Sequence, residues 1–172
     1  YNTKKQFPVG YLCRHDSLAD TNTMTYDLHP ADKSHYPELI ELWEASVRAT
    51  HDFLTESDIE HYKPLILEQY FDQLNLFCIN ANQQIQGFIG LDGQLIQMLF
   101  IAPQARGLGI GKTLVDFAVA HYGINAVDGN EQNGQAVGFY THIGFETVDR
   151  FERDSSGKPY PILSMRLKAA SS

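Results

Sequence analysis

Leu95-Ile96-Gln97-Met98-Leu99-Phe100-Ile101-Ala102-Pro103-Gln104-Ala105-Arg106-Gly107-Leu108-Gly109-Ile110-Gly111-Lys112-Thr113 is the stretch on which the fold turns. An apolar run leads into a glycine-rich turn, after which Ile110, Leu114, Phe117 and Ala118 recur at i, i+4, i+7 and i+8, the stripe of a core-facing helix. A strand, a tight turn and a helix follow from that pattern. In such a turn the backbone N–H groups and the positive end of the helix dipole converge, and glycines let an anion approach the main chain. Three phosphate-binding spacings compete for it. A P-loop requires G-x-x-x-x-G-K-S/T, and Gly111-Lys112-Thr113 supplies its end, but Arg106 stands where the first glycine belongs. A dinucleotide fingerprint requires G-x-G-x-x-G early in a βαβ unit, whereas Gly107, Gly109 and Gly111 read G-x-G-x-G past mid-chain. The third spacing, Q/R-x-x-G-x-G/A, is met without a gap by Gln104, Gly107 and Gly109.

A second signature lies about thirty residues downstream: Asn133-x-x-Ala136-x-x-Phe139-Tyr140-x-x-x-Gly144-Phe145. With both in place the chain resembles the GNAT N-acetyltransferase family over residues 24–167, the first motif matching that family's acetyl-CoA pyrophosphate loop. It is also similar to a bacterial subgroup, the YjaB-like acetyltransferases, through Ala49-Thr50-His51-x-Phe53-Leu54, Asn130-Glu131-Gln132-Asn133 and Gly157-Lys158-Pro159-Tyr160-Pro161.

The resemblance implies an acetyl-CoA-dependent enzyme that passes an acetyl group directly to a primary amine in a ternary complex. It implies that Leu99, Phe100, Ile101 and the loop residues Arg106, Gly107, Leu108, Gly109, Ile110, Gly111 and Lys112 hold the cofactor. The Leu99 backbone N–H meets the developing oxyanion, a role that matters most in a water-poor site. Tyr140 matches the family tyrosine that protonates or hydrogen-bonds the departing sulfur, and a phenol is a neutral donor at pH 7; the competing reading is an aromatic on the helix's apolar face beside Phe139. Asn133 matches a cofactor-contacting asparagine and also suits a helix N-cap. Thr50, His51, Phe53, Gln97 and Tyr160 fall on the acceptor side.

Many relatives carry a carboxylate on the strand before the loop, where this chain has Gln97, which cannot take a proton. His51 is the best replacement base, since imidazole titrates near neutrality; a surface or capping histidine accounts for it equally, and a water chain or a low-pKa acceptor would remove the need for any base. The missing carboxylate also favours an alternative of another class, an acyl-CoA-binding sensor or regulatory module without turnover. The acceptor is a small molecule, a peptide N-terminus or a lysine, and the lack of a long appended domain leans toward the small molecule.

At 172 residues, 43% of them hydrophobic, the chain suits one domain with a substantial core. Residues 1–23 read as an extension that starts at Tyr1, residues 24–167 as the domain and 168–172 as a tail. No apolar run approaches the ~18 residues of a membrane span, which points to a cytoplasmic protein, monomer or homodimer. A net charge of -8 disfavours nucleic acid and makes local geometry, not overall charge, responsible for holding a polyanionic cofactor. Cys13 and Cys78 form no framework, and Cys78 reads as a small buried hydrophobe. His29, His35 and His61 lack ligand spacing, so no metal is expected.

The fold class expected is α/β, the GNAT acetyltransferase fold, a mixed and mostly antiparallel sheet of six to seven strands flanked by about four helices. The elements run βααβββαβαββ. Asp32 or Ser34 caps a first helix with Pro37 in its first turn, and Thr55 or Ser57 opens a second that Pro64 kinks or splits. Strands at 76–80, 85–91 and 95–101 form a meander; strands at 124–127, 145–153 and 162–167 and a helix at 133–143 complete the domain.

Overall fold

A computed structural model describes residues 11–14 and 25–169. In chain order these form β1 (Tyr11–Arg14), β2 (Thr25–Pro30), α1 (Tyr36–Thr50), α2 (Glu56–Leu65), α3 (Phe71–Gln73), β3 (Asn75–Ala81), β4 (Gln84–Asp92), β5 (Leu95–Ile101), α4 (Ile110–Tyr122), β6 (Ala126–Asn130), α5 (Gly134–His142), β7 (Phe145–Phe151) and β8 (Ile162–Leu167). The strands make one sheet in the order β1-β2-β3-β4-β5-β6-β8-β7. Seven of them lie within residues 24–167 and follow the expected order, and β1 adds an edge strand antiparallel to β2. Every neighbouring pair is antiparallel except β5 with β6.

Local chemistry sets the helix boundaries. Asp32, not Ser34, is the first cap: its carboxylate accepts from the Ser34 amide at 2.9 Å and starts a 3-10 turn that runs into α1 at Pro37. Thr55 caps α2 reciprocally with Asp58. Pro64 has no N–H to offer the preceding turn, and the chain relaxes into a π turn at Ile66–Tyr70 before one last turn of α helix. Gly123, at φ +63°, stops α4; Ile124 is still folded back on the helix, so β6 pairs only from Ala126 and starts two residues later than expected. At the far end β7 stops at Phe151, because Asp154 turns the chain by hydrogen bonding to Lys158.

Alternation along β4 assigns the two faces of the sheet. A side chain at Gly87 would meet Ile110 of α4, whereas Phe88 packs edge-on to Phe71 of α3 at 5.9 Å. The α1 to α3 segment therefore covers one face and α4 the other. Leu39, Trp43 and Val47 of α1 and Leu114 and Ala118 of α4 are fully or nearly fully buried against the strands. Burying such a side chain contributes about 1.5–3 kcal/mol each, which is what fixes the helices on the sheet.

The β7–β8 loop is tied to the start of α2. The Asp58 carboxylate, 5% exposed, accepts from the Tyr160 hydroxyl, from the Thr55 amide at 3.0 Å and from Lys158 Nζ at 2.9 Å. Tyr62 donates in parallel to Asp154 on the same loop. The Tyr160 hydrogen bond, followed by those of Thr55 and Lys158, holds Asp58 well below the usual carboxylate range, although burial opposes them. Asp58→Asn keeps the size and loses the charge that these three donors share. It is predicted to cost about 2–3 kcal/mol in urea unfolding and to raise amide exchange across 152–161; unchanged exchange there would show that the loop is held by other contacts.

Candidate active site

The two parallel strands at the centre of the sheet touch only at their starts. β5 and β6 pair at Leu95 with Ala126 and at Ile96 with Val127, and nowhere beyond. Opposite, Gly90 pairs with Met98 and Leu91 with Ile96, so Gln97 is an extra residue on β5, a bulge placed where the strands part. Past Gln97, β5 keeps its antiparallel partner β4 on one side only. The Ala102 amide donates to Gln86 on the β4 side at 2.8 Å, so strand alternation turns the amides of Leu99 and Ile101 to the open side. A cavity of about 520 Å³ occupies the gap between the strands, walled by residues 96–101 of β5, 127–130 of β6, the end of α1, the start of α4 and one face of α5.

One wall is the glycine loop. Gly107 and Gly109 have φ of +76° and +80°, a backbone region that L side chains strain to adopt. Gly109 is the N-cap of α4 and offers no side-chain cap, so the first-turn amides of a 13-residue helix face the cavity with the positive end of its dipole. Both loop cations are already engaged. Arg106 reaches inward, from Nη2 to Ser46 Oγ at 3.2 Å and from Nη1 to Gln135 Oε1 at 3.4 Å. Lys112 borders the cavity, but its ammonium pairs with Asp116 on the exposed side of α4 at 2.6 Å. The loop therefore faces the cavity mainly with backbone groups. Leu108, among the residues expected at the cofactor, is 47% exposed and lies off the cavity wall.

A chain of hydrogen bonds crosses the other end. Thr50 Oγ1 donates to the Ser46 carbonyl at 2.8 Å and lies 2.7 Å from His51 Nδ1. With its one proton given to Ser46, Thr50 can only accept from His51, which places the imidazole proton on Nδ1 and leaves Nε2 as the basic nitrogen. Asn133 caps α5 by accepting from the Ala136 amide at 3.2 Å, and that orientation turns its NH₂ to His51 Nε2 at 3.5 Å. Burial first, and then the charge of Arg106, push His51 down from 6.5 to about 4, against a smaller pull from Asp52. Its imidazole is neutral throughout the neutral range.

Tyr140 completes the wall. It is 6% exposed, flanked by Phe139 at 5.3 Å and Phe145 at 5.8 Å, and its hydroxyl makes no hydrogen bond among the described residues. Burial raises its pKa above the ordinary phenol value, so it stays protonated. Tyr140, His51 and Leu99 thus line one cavity, as do Phe100, Ile101, Gly107, Gly109, Ile110, Gly111, Asn133, Thr50 and Gln97. Phe53 and Tyr160, expected at the acceptor, are not on its wall: Phe53 packs at a tilt between His51 at 5.3 Å and Tyr160 at 5.7 Å, and the Tyr160 hydroxyl donates to Asp58. Ser46 and Gln135, which hold Arg106, escaped the sequence reading. Ser46 left a signal, a lone serine on the apolar stripe of α1 that is 2% exposed.

The acetyltransferase (GNAT) domain family matches residues 50–168. The chain belongs to that family. Its similarity to the peptidyl-lysine N-acetyltransferase YjaB of Escherichia coli is 40% identity over 74% of this chain and 87% of that protein, and the Salmonella typhimurium YjaB is 39% identical over 74% and 88%. The solution structure of apo YjaB from Escherichia coli superposes with a TM-score of 0.77, covering 86% of this chain and all of that one. At 20% identity the fold is shared with the PaiA N-acetyltransferase of Thermoplasma acidophilum in complex with coenzyme A, with a TM-score of 0.71 over 85% of this chain and all of that one. The chain is an N-acetyltransferase whose acetyl donor is acetyl-CoA, and the uncapped amides, the positive-φ glycines and the gap between β5 and β6 fit that donor. No helix among the described residues is long and apolar enough to cross a membrane.

Two outcomes are expected. An added Cβ at Gly107 meets nothing within 4 Å, so Gly107→Ala isolates the cost of the left-handed backbone. It is predicted to weaken coenzyme A binding in calorimetry by about fivefold, or about 1 kcal/mol, whereas Lys112→Ala changes it less than about twofold. The reverse ranking would make the side-chain charge, not the backbone, the holder. For His51, the folded pKa near 4 lies below the unfolded value of 6.5, so the unfolded chain binds more protons in between. The stability this neutral imidazole contributes is complete above pH 6.5 and is lost as pH falls toward 4. His51→Gln should flatten that part of the urea-midpoint profile, and an identical profile would mean that His51 titrates normally in the fold.

Proposed function

We propose that the chain acetylates the ε-amine of lysine in peptide or protein substrates by direct attack within a ternary complex with acetyl-CoA. The observation that carries this reading is the 40% identity, over 87% of its length, to a protein named as a peptidyl-lysine N-acetyltransferase. A relative at 26% identity, YiaC of Escherichia coli, carries the same description. This replaces the small-molecule acceptor toward which the sequence alone leans.

The cavity supplies a group for each requirement of the reaction. The loop amides from Gly107 to Lys112 and the α4 dipole hold the diphosphate of the donor, and Arg106 adds a charge inside the cavity. The Leu99 amide, unpaired on the open side of β5, points to where charge develops on the thioester oxygen. Tyr140 keeps its proton because burial disfavours the phenolate, and it donates that proton to the departing sulfur. His51 Nε2 receives the proton that the nitrogen sheds once it has bonded to the acyl carbon, and the Thr50 and Asn133 contacts hold the imidazole in the tautomer that can do so. Gln97, on the bulge, supplies polar contact to the acceptor in place of a base. A non-catalytic acyl-CoA sensor would need the cofactor loop alone, and would leave Tyr140 and His51 facing the same cavity without a task.

Mass spectrometry of a panel of lysine peptides, peptides with only a free N-terminus, and small amines such as spermidine tests the acceptor. Lysine peptides should gain 42 Da per site, and transfer confined to the N-terminal or small amines would reject the proposal. Tyr140→Phe should lower kcat by about 10²-fold with little change in KM for acetyl-CoA, the pattern of a group used only in the transition state. Unaltered kcat would remove Tyr140 from the chemistry.

A further inference from the structure

The groups that the proposed reaction leaves unused gather at the other end of α1. His29 and Cys78 are direct cross-strand partners on β2 and β3, on the sheet face that α1 covers, and His35 lies in the 3-10 turn that enters α1. Three unconnected segments therefore deliver two imidazoles and a thiol to one place. This is why no ligand spacing is visible in the sequence. One donor atom from each of His29, His35 and Cys78 lies within 4.8 Å of the other two. Cys78 Sγ is 3.5 Å from both ring nitrogens of His29, and the His29 and His35 rings stand 5.4 Å apart at 46°.

We propose that His29, His35 and Cys78 form a binding site for a single zinc ion. With Zn–S near 2.3 Å and Zn–N near 2.0–2.1 Å, the S···N edge of a tetrahedral site is about 3.5 Å, the separation found between Cys78 and His29. The sulfur is equally close to both His29 nitrogens, so side-chain rotation is needed to aim one of them at a shared ion. His29 already has the outer contact that orients a metal-bound histidine, and His35 has a carboxylate within reach. His29 Nδ1 lies 3.0 Å from the Pro30 carbonyl, which leaves Nε2 for the ion; His35 Nδ1 accepts from the Asp32 amide at 3.0 Å with Asp32 Oδ1 3.1 Å away, so ligation through His35 Nε2 moves the ring proton to Nδ1, where that carboxylate accepts it. Asn80 Oδ1 lies 3.2 Å from His29 Nε2, a contact that the ion would replace, and solvent fills the remaining position.

The surroundings favour a cation. Glu38, Asp27 and Asp32 all act on Cys78, and the charged groups acting on it are all acidic. Cys78 is fully buried, but His29 and His35 are only half-buried and give the ion a way in. On binding, the thiol proton leaves to solvent and the sulfur ligates as thiolate; no oxidation is involved. The ion would cross-link β2, β3 and the start of α1. Ser46, Thr50 and His51 lie at the opposite end of that helix, about 20 Å away at 1.5 Å per residue, so the metal site and the acetyl-transfer cavity are separate. The competing arrangement is a packed thiol hydrogen-bonded to His29, which would hold no metal.

The test is titration of chelator-stripped full-length protein with zinc alone against a chromophoric competitor, with cobalt as a spectroscopic substitute. One zinc per chain is expected, with a cobalt spectrum that contains a thiolate charge-transfer band. Cys78→Ala and His35→Gln should each weaken zinc binding at least about tenfold, and Cys78→Ala should abolish the band, while coenzyme A binding stays as in the parent. Should Cys78→Ala not fold, His35→Gln, a half-buried position, carries the comparison. Zinc binding weaker than about 10 μM, a cobalt spectrum without the thiolate band, or full affinity in both variants overturns the proposal, the last by assigning binding to other histidines.

Discussion

The separation of β5 from β6 is the constraint from which the rest of the molecule follows. Parallel strands with further residues available on each side stop pairing after two positions, because Gln97 is one residue too many for the β4 register and turns β5 away. The amides that would have completed the ladder are left facing a gap, and unpaired backbone groups in an otherwise closed core carry a free-energy cost unless something meets them. The sheet thus keeps an unfilled strand position at its centre. Its sides are already set: α1 ends at one rim with Thr50 and His51, the glycine loop enters at another, and α5 closes the third with Asn133 and Tyr140.

In the proposed binding mode, charge explains why the loop holds the diphosphate through its main chain. A chain of net charge -8 repels a polyanion at long range, so attraction has to be local. Lys112 is screened by Asp116 and exposed, which leaves it little to contribute, and Arg106 spends its hydrogen bonds on Ser46 and Gln135. Oriented amides cannot be neutralised by a mobile counter-charge in this way. Their positions are fixed by two glycines with positive φ and by the helix behind them.

Much of this was legible in the sequence for a definite physical reason. The Gln104, Gly107 and Gly109 spacing encodes a backbone path, and backbone paths are local; so are the Thr55 cap and the apolar stripe of α4. What escaped is non-local. Neither the Gln97 bulge nor the late start of β6 can be read without knowing the β4 register and the fold-back of Ile124. The bond from the Tyr160 hydroxyl to Asp58, about a hundred residues away in the chain, is likewise invisible in the sequence. His29, His35 and Cys78 come together only through strand pairing and a turn.

The low basicity of His51 narrows how the proposed reaction can run. A lysine ammonium has a pKa near 10.4, so passing its proton to an imidazole near 4 would be uphill by about 8–9 kcal/mol. His51 therefore cannot be the group that neutralises an arriving lysine. The amine must lose that proton to water first, at a cost of about 4–5 kcal/mol at pH 7 in free solution. The cavity lowers this cost by the same two causes that act on His51, since burial and the positive Arg106 disfavour an ammonium as they disfavour an imidazolium. Once the nitrogen has bonded to the acyl carbon it becomes far more acidic, and a weak base already in its neutral form is then sufficient. Thr50 has fixed that base in advance: with Nδ1–H given to its oxygen, the only nitrogen able to receive the second proton is the one that faces Asn133 across the cavity.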